Sequence, residues 1–371
     1  MTEEFYGRYF FLMDRFLHYN IIPFPFEFER KLNYNDIYHL GSQFPVGYWD
    51  YINEELIHNV PLDELINDFR KKINYKQLKG LSVGGLLPKT RGIDTQHELY
   101  GGYYQVNLGE KTFNEFCDYL IRLKDRFESL EVMVLGNYYM DDYIHAFYEI
   151  KHLDQIIKNF KHLSHLFIRG GFSKYNQNSR KTMEILDYFG LNSDQFPKHL
   201  DKNKQKQESN LQTLIIQTFG MNNLWVKRIL EYNLPNLKHL ELNLGTRHYN
   251  GCRSIENLTP LFAGELFPNL KYLGLKDSDI ANEIAYEIAH STLIERLDVL
   301  DLSQGALTEE GAEILLNSSK ISNLKFLDIS SNHLSEEFIS YTLDISKEKN
   351  IPIKARPQRG PIDTRYRVIR E

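Results

Sequence analysis

Three apolar residues recur along the chain in a fixed phrase, at its first, fourth and sixth positions, and a small, polar or turn-forming residue usually follows near the ninth. The clearest copy contains Leu324, Leu327 and Ile329, with Asn332 at the ninth position. Copies of the phrase begin at Leu78, Leu130, Leu163, Leu211, Leu237, Leu270, Leu297 and Leu324. Such repetition is typical of a chain built from stacked units that share one core.

Each phrase predicts a short strand, and the text between phrases predicts a helix. The fourth and sixth positions lie two residues apart, so both side chains point to one face of a strand. Further on, Ile280, Ile284 and Ile288 lie one helical turn apart, and Thr308 stands where the next helix needs an N-cap. The pattern predicts an α/β leucine-rich-repeat solenoid, a horseshoe with parallel strands on the concave face and helices on the convex face.

The phrase divides the chain into three regions. Residues 1–60 lack it and are rich in aromatic residues and proline, which favours an N-terminal cap over the open end of the core. Residues 61–345 form the predicted solenoid, with a long insertion at 173–210 that is expected to be an exposed loop. Residues 346–371 are predicted to form a C-terminal capping hairpin, with strands at 350–356 and 364–370.

Composition excludes several classes of protein. The chain has 371 residues, with 44 Lys and Arg against 50 Asp and Glu, and a net charge of −6 argues against a general nucleic-acid binder. The two cysteines, Cys117 and Cys252, cannot supply a disulfide framework or a cysteine-rich zinc site. No apolar run is long enough to span a membrane, and the acidic residues near the start do not fit an export signal, so we expect a cytoplasmic protein.

The usual signatures of catalysis and cofactor binding are missing from the sequence. A glycine-rich stretch at 80–90 has Leu86 where a phosphate loop needs lysine. Four histidines, His145, His152, His162 and His165, lack the spacing of a zinc-binding helix and are more simply read as ordinary surface or strand residues. We therefore predict no catalytic residue, cofactor or metal, and a protein that is not an enzyme.

The third, fifth and seventh positions of each phrase alternate with the buried leucines and are expected to face the inside of the horseshoe. In the early phrases these positions are mostly apolar, whereas the late ones carry carboxylates and aromatic rings. The residues predicted to bind a partner are Glu241, Tyr272, Asp301, Phe326, Asp328, His239 and Lys276. Exposed aromatic residues beside charged groups are typical of protein-binding surfaces. The alternative is that these rings only pack against one another across the sheet.

Three stretches resemble a known family. Residues 234–246 and 267–280, which share the run Pro-Asn-Leu-Lys, are similar to an uncharacterised bacterial family of ribonuclease-inhibitor-like leucine-rich-repeat proteins, as are residues 297–311. The resemblance implies an intracellular protein, often encoded beside a radical-SAM protein, and it supplies no catalytic residue.

These observations predict a non-catalytic scaffold that binds a protein or peptide on its concave face. The partner is expected to carry a basic patch, and neither a nucleic acid nor a membrane is expected as a partner. The alternative, which the gene neighbours of the family imply, is an accessory subunit that presents a substrate to a peptide- or protein-modifying enzyme. The oligomeric state is left open by the sequence.

Overall fold

The computed structural model describes side chains for residue 71 and for residues 74–84, 114–136, 152–170, 209–218, 220–247 and 250–359. In the first 60 residues it describes the backbone of five strands. His145, the predicted strand at 364–370 and almost all of the insertion at 173–210 lie outside the described residues.

Fourteen strands are described. They are β1 (Arg15–Phe16), β2 (Tyr19–Phe24), β3 (Asp36–Leu40), β4 (Trp49–Asp50), β5 (Glu55–Leu56), β6 (Gly80–Val83), β7 (Val132–Leu135), β8 (His165–Arg169), β9 (Thr213–Gln217), β10 (His239–Gly245), β11 (Tyr272–Ser278), β12 (Val299–Asp301), β13 (Phe326–Asp328) and β14 (Ile353–Lys354). All except β4 and β5 form one open sheet in chain order. Only the β1–β2 pair in that sheet is antiparallel, and β4 and β5 form a separate antiparallel pair.

The strand register repeats the sequence phrase. Leu240 pairs with Leu273, Leu273 with Leu300, and Leu300 with Leu327, so the fourth positions of successive phrases lie side by side. In the connections that the structure describes from β9 onwards, helices, some with an additional 3-10 turn, return the chain between strands, as a parallel sheet requires. The predicted α/β leucine-rich-repeat solenoid is thereby confirmed.

Six helices with defined bounds return the chain. They are α1 (Leu153–Asn159), α2 (Asn223–Leu230), α3 (Thr259–Phe262), α4 (Ala281–His290), α5 (Glu309–Asn317) and α6 (Glu336–Lys349). Residues 114–122 are also helical, and short 3-10 turns lie at Lys124–Arg126, Ile255–Asn257, Leu293–Arg296 and Ser319–Asn323. Thr308 is at the N-cap of α5 as predicted, but its side chain makes no capping bond and instead accepts a hydrogen bond from Asn282.

One continuous core lies between the sheet and the helices. The leucine and isoleucine residues at the first, fourth and sixth positions pack there with the inner residues of the helices, among them Ile284, Ile288 and Leu315. Burying each of these side chains contributes roughly 1.5–3 kcal/mol. Cys117 and Cys252 are free and buried, as expected of cysteines that serve as small core residues.

Asn332, at the ninth position of its phrase, is fully buried and holds two neighbouring repeats together. Its amide nitrogen donates to the carbonyl oxygens of Leu302, Ile329 and Ser330, while its oxygen accepts from the backbone N–H groups of Gly305 and Leu307. The turn after β12 is therefore fixed to the turn after β13 by one side chain.

Both ends of the sheet extend beyond the repeats that the sequence shows clearly. Within the predicted N-terminal cap, β2 and β3 continue the parallel sheet, and β3 pairs with β6. The segment predicted as a C-terminal hairpin begins inside α6 and then forms β14, which pairs in parallel with β13. The predicted division into three regions stays a prediction.

No described helix is long and apolar enough to cross a membrane.

Candidate functional site

Four strands, β10 to β13, bring the predicted partner-binding residues onto one surface, which β14 extends. The register aligns the third positions in a row of His239, Tyr272, Val299 and Phe326, which we call the aromatic row. It aligns the fifth positions in a second row of Glu241, Gly274, Asp301, Asp328 and Lys354, which we call the carboxylate row. Both rows lie on the face of the sheet opposite the fourth-position leucines, here called the concave face.

Lys276 connects the first half of the carboxylate row. Its ammonium lies 3.3 Å from Oε1 of Glu241 and 3.6 Å from Oδ2 of Asp301. The hydroxyl of Tyr272 donates to the same oxygen of Asp301 at 2.9 Å. Glu241 and Asp301 are only 7% and 5% exposed, so the pairing satisfies carboxylates that are almost removed from water.

This group of Glu241, Tyr272, Lys276 and Asp301, here called the charge cluster, depends on the glycine between the two carboxylates. A Cβ at Gly274 would lie 3.0 Å from Cγ of Glu241 and 3.3 Å from the ring of Tyr272. The missing side chain leaves the space in which the lysine and the tyrosine meet the carboxylates.

The pKa values within the charge cluster are shifted so that Glu241 stays ionised, Lys276 stays protonated and the hydroxyl of Tyr272 stays neutral. Burial disfavours the ionised form of Glu241, but His239 and Lys276 outweigh that effect and hold its pKa below the ordinary value. Burial likewise opposes the charge on Lys276, yet Glu241 and Asp301 keep its pKa raised. Burial and the nearby carboxylates raise the pKa of Tyr272, so its hydroxyl remains a donor.

Asp301 and Asp328 occupy matching positions on neighbouring strands and make the same local turn. Oδ1 of each accepts a hydrogen bond of 2.9 Å from the backbone N–H of the serine two residues later, Ser303 or Ser330. Their other oxygens differ: Asp301 meets the buried charge cluster, whereas Oδ2 of Asp328 lies 3.0 Å from the ammonium of Lys354.

The aromatic row is the more accessible of the two rows. Its four side chains are partly exposed, and the rings of His239 and Tyr272 stack with their centres 3.8 Å apart and their planes 11° from parallel. Nε2 of His239 lies 3.8 Å from Oε2 of Glu241 and has no hydrogen-bond partner. The rings therefore pack against one another across strands, and the row also keeps surface for contact.

The early part of the concave face is closed. Val132, Val134 and Phe167 are at most 2% exposed, and Ile215 is 8% exposed, although none of them belongs to the core between sheet and helices. The expectation that all third and fifth positions face an open inner surface therefore fails in the early repeats. Among the described side chains, four third positions of the late repeats are partly exposed, whereas His165 is the single partly exposed third position in β6 to β9.

Sequence reasoning placed all seven predicted residues on one surface but missed three that organise it. The three are Gly274, Lys354 and Ser330, none of which the periodic pattern singled out. The serine two residues after each aspartate was the available signal, because aspartate side chains often bond to backbone N–H groups two residues ahead.

A separate polar cleft of about 650 Å³ lies at the N-terminal ends of strands β6 to β10. Its lining includes Lys79 and Glu131, which form an ion pair, and Lys238, which donates to Gln212. Most charged groups of the cleft are thus already paired within the chain, and the cleft lies away from the predicted partner-binding residues.

Among the described residues, no group of three or more histidine, cysteine or acidic side chains is arranged to hold a metal ion. Two of the four histidines considered above have other contacts: His152 pairs with Asp118, and His165 bonds to Thr213. His162 lines the polar cleft.

Comparison with known proteins gives the fold. No protein-family model matches the chain, and no curated protein matches it. A crystal structure of a protein from Bacteroides fragilis, a structural genomics target, aligns with 24% identity and a TM-score of 0.55, covering 80% of this chain and 72% of the other. An internalin from Listeria monocytogenes aligns with 15% identity and a TM-score of 0.31 over 77% of this chain and 63% of its own. The Bacteroides fragilis structure shows that a similar fold occurs in a protein from that bacterium.

Proposed function

We propose that the protein is a non-catalytic interaction scaffold that holds a protein or peptide against the concave face of β10 to β13. The observation that carries the proposal is the aromatic row. It places His239, Tyr272, Val299 and Phe326 side by side, partly exposed, on the face opposite the buried core. Rigid rings on a sheet present contact area at a low entropic cost, which suits them to binding surfaces.

The charge cluster has a positioning role in this proposal. Because Glu241 and Asp301 are buried and already paired with Lys276, they hold the ring of Tyr272 in place more than they attract a partner. Asp328 is similarly buried, at 8% exposed, but it lies outside the cluster, and its ion-pair partner Lys354 is exposed. We therefore assign contact area to Tyr272 and Phe326 and attraction of a basic patch to Asp328.

Photo-crosslinking tests the proposal directly. A benzoylphenylalanine side chain at position 299 would replace Val299 in the aromatic row, and one at position 286 would replace Tyr286, which is 51% exposed on α4. Both variants of the full chain are irradiated in extracts of cells that naturally make it. A defined protein crosslinked from position 299 and not from position 286 supports the proposal. Equal crosslinking from both positions, or none from position 299, contradicts it.

The same experiment addresses the accessory-subunit alternative and the other predictions on partners. If the crosslinked protein is an enzyme whose activity requires this chain, the scaffold presents a substrate and does not act alone. The identity of the crosslinked protein also tests the expected cytoplasmic location and the expected basic patch.

A further inference from the structure

Asp328 differs from Asp301 in what holds its second carboxylate oxygen. In Asp301 this oxygen is enclosed by Tyr272 and by Lys276, whose side chain is only 16% exposed. In Asp328 it meets Lys354, whose side chain is 52% exposed. The side chain of Asp328 is itself only 11% exposed, so its charge needs a cationic partner, but the exposed Lys354 can be exchanged for a cation from outside the chain.

The first oxygen of Asp328 is fixed independently of Lys354. Both the backbone N–H and the hydroxyl of Ser330 donate to Oδ1, at 2.9 Å and 2.6 Å. The carboxylate therefore keeps its orientation when Lys354 moves away, and Oδ2 remains available as an acceptor. A preorganised acceptor of this kind favours a cationic donor over a neutral one.

Phe326 supplies an apolar surface beside this acceptor. It lies two residues before Asp328 on β13, on the same face of the strand and in the aromatic row, and its side chain is partly exposed. Two residues along a strand span about 6.6 Å, which is within the length of a lysine or arginine side chain. The aliphatic part of such a side chain can lie on the ring while its charged end reaches Oδ2.

The charges on these strands favour an incoming cation. On the concave face of β10 to β14, the three carboxylates of the carboxylate row face the two ammonium groups of Lys276 and Lys354. One negative charge is left uncompensated even with both lysines in place. When Lys354 turns to solvent, Asp328 carries that charge at the edge of the row.

We propose that Asp328 and Phe326 bind a lysine or arginine side chain of the partner, and that Lys354 occupies the place of this side chain in the free protein. This inference rests on the proposed scaffold function and specifies its partner as a segment with a basic residue beside apolar ones. Lys354 thereby weakens binding of segments that lack the matching charge.

A random library of 12-residue phage-displayed peptides, panned against the full chain, supplies the probe. The best enriched peptide is synthesised with its basic residue and with norleucine in its place, and both affinities are measured by fluorescence anisotropy. The variants are Lys354→Met, Asp328→Asn and, as a matched control, Lys325→Met. Lys325 is an exposed lysine paired with Asp298 before β13 and away from the concave face.

We expect the enriched peptides to carry lysine or arginine next to an apolar residue, and norleucine to weaken binding about tenfold. Lys354→Met should tighten binding of the basic peptide several-fold, Lys325→Met should leave it unchanged, and Asp328→Asn should remove the preference over norleucine. The asparagine oxygen can still accept the bonds from Ser330, and thermal unfolding checks that this variant is folded.

Failure of this inference is distinguishable from failure of the scaffold proposal. Enriched peptides that lose binding on Phe326→Ala but show no preference for a basic residue would overturn the role of Asp328 and leave the scaffold standing. An unchanged affinity in Lys354→Met would overturn the role of Lys354. If no peptide is enriched, or Phe326→Ala has no effect on those that are, both proposals fail.

Discussion

The ammonium of Lys276 lies 3.3 Å from Oε1 of Glu241, on the strand that precedes its own in the sheet. The same ammonium lies 3.6 Å from Asp301 on the following strand, so one lysine joins three strands. It can do so because Gly274 leaves the position between the two carboxylates without a side chain. The stability and the shape of the late concave face therefore depend on a small number of buried polar contacts.

Replacing Lys276 by methionine should lower the free energy of unfolding by about 3 kcal/mol at pH 7, because Glu241 and Asp301 would be left buried without their cation. Urea unfolding measures the change. Lys325→Met, which breaks an exposed pair with Asp298, should cost less than about 1 kcal/mol. An equal loss of unfolding free energy in the two variants would show that the buried carboxylates do not depend on Lys276.

Adding one methyl group at Gly274 should destabilise the fold by about 1–3 kcal/mol, because the new Cβ would press on Glu241 and on the ring of Tyr272. A double-mutant cycle with Glu241→Ala provides the control. Removing the Glu241 side chain opens the space, so Gly274→Ala should cost much less in that background. If its cost is the same in both backgrounds, contact with Glu241 is not the cause.

Glu241 should make the protein more sensitive to acid. Its pKa in the folded chain lies below the ordinary value of 4.5, so its ionised form stabilises the fold above that pH. The contribution is lost as the pH falls through the lowered folded-state pKa. Unfolding free energies measured between about pH 5.5 and pH 2.5 should therefore fall less steeply in Glu241→Gln than in the natural protein. Parallel curves would contradict this assignment.

Asn332→Ala should destabilise the fold by about 3 kcal/mol, because it leaves the N–H groups of Gly305 and Leu307 and the carbonyl oxygen of Leu302 buried without a partner. The other two carbonyl oxygens that it contacts keep bonds from Gln358 and Gln304. Asn317→Ala removes an exposed asparagine whose oxygen accepts from Tyr341, and it should cost less than about 1 kcal/mol. Thermal or urea unfolding compares the two. A small effect at Asn332 would mean that water replaces its amide.

The described parts of the repeat units were predictable because burial acts on every repeat in the same way. Leu240, Leu273, Leu300 and Leu327 each need to leave water, and their common spacing reveals both the strand and its neighbour. The same argument placed the seven candidate residues on one face. It did not find β2 and β3 as strands of the sheet, because residues 1–60 do not carry the phrase.

The contacts within the candidate site were not predictable from the phrase. Spacing assigns Lys276 and Asp301 to a face, but it does not say that the lysine bridges two neighbouring strands or that Lys354, from the last strand, reaches Asp328. It also placed Val132 and Val134 on the inner face but did not predict that both are fully buried there. Periodicity predicts the face of the strand on which a side chain lies. Its ion pairs and its burial depend on residues that are distant in sequence.

The sequence by itself determined the α/β solenoid, its described late repeats and the face on which the charged and aromatic residues collect, because local spacing and the hydrophobic effect are enough to decide these features. Only the tertiary structure decided which carboxylates are neutralised within the chain and which one is held by an exposed lysine. That distinction arises from distances between side chains on different strands, and electrostatic interactions depend steeply on such distances and on exposure to water.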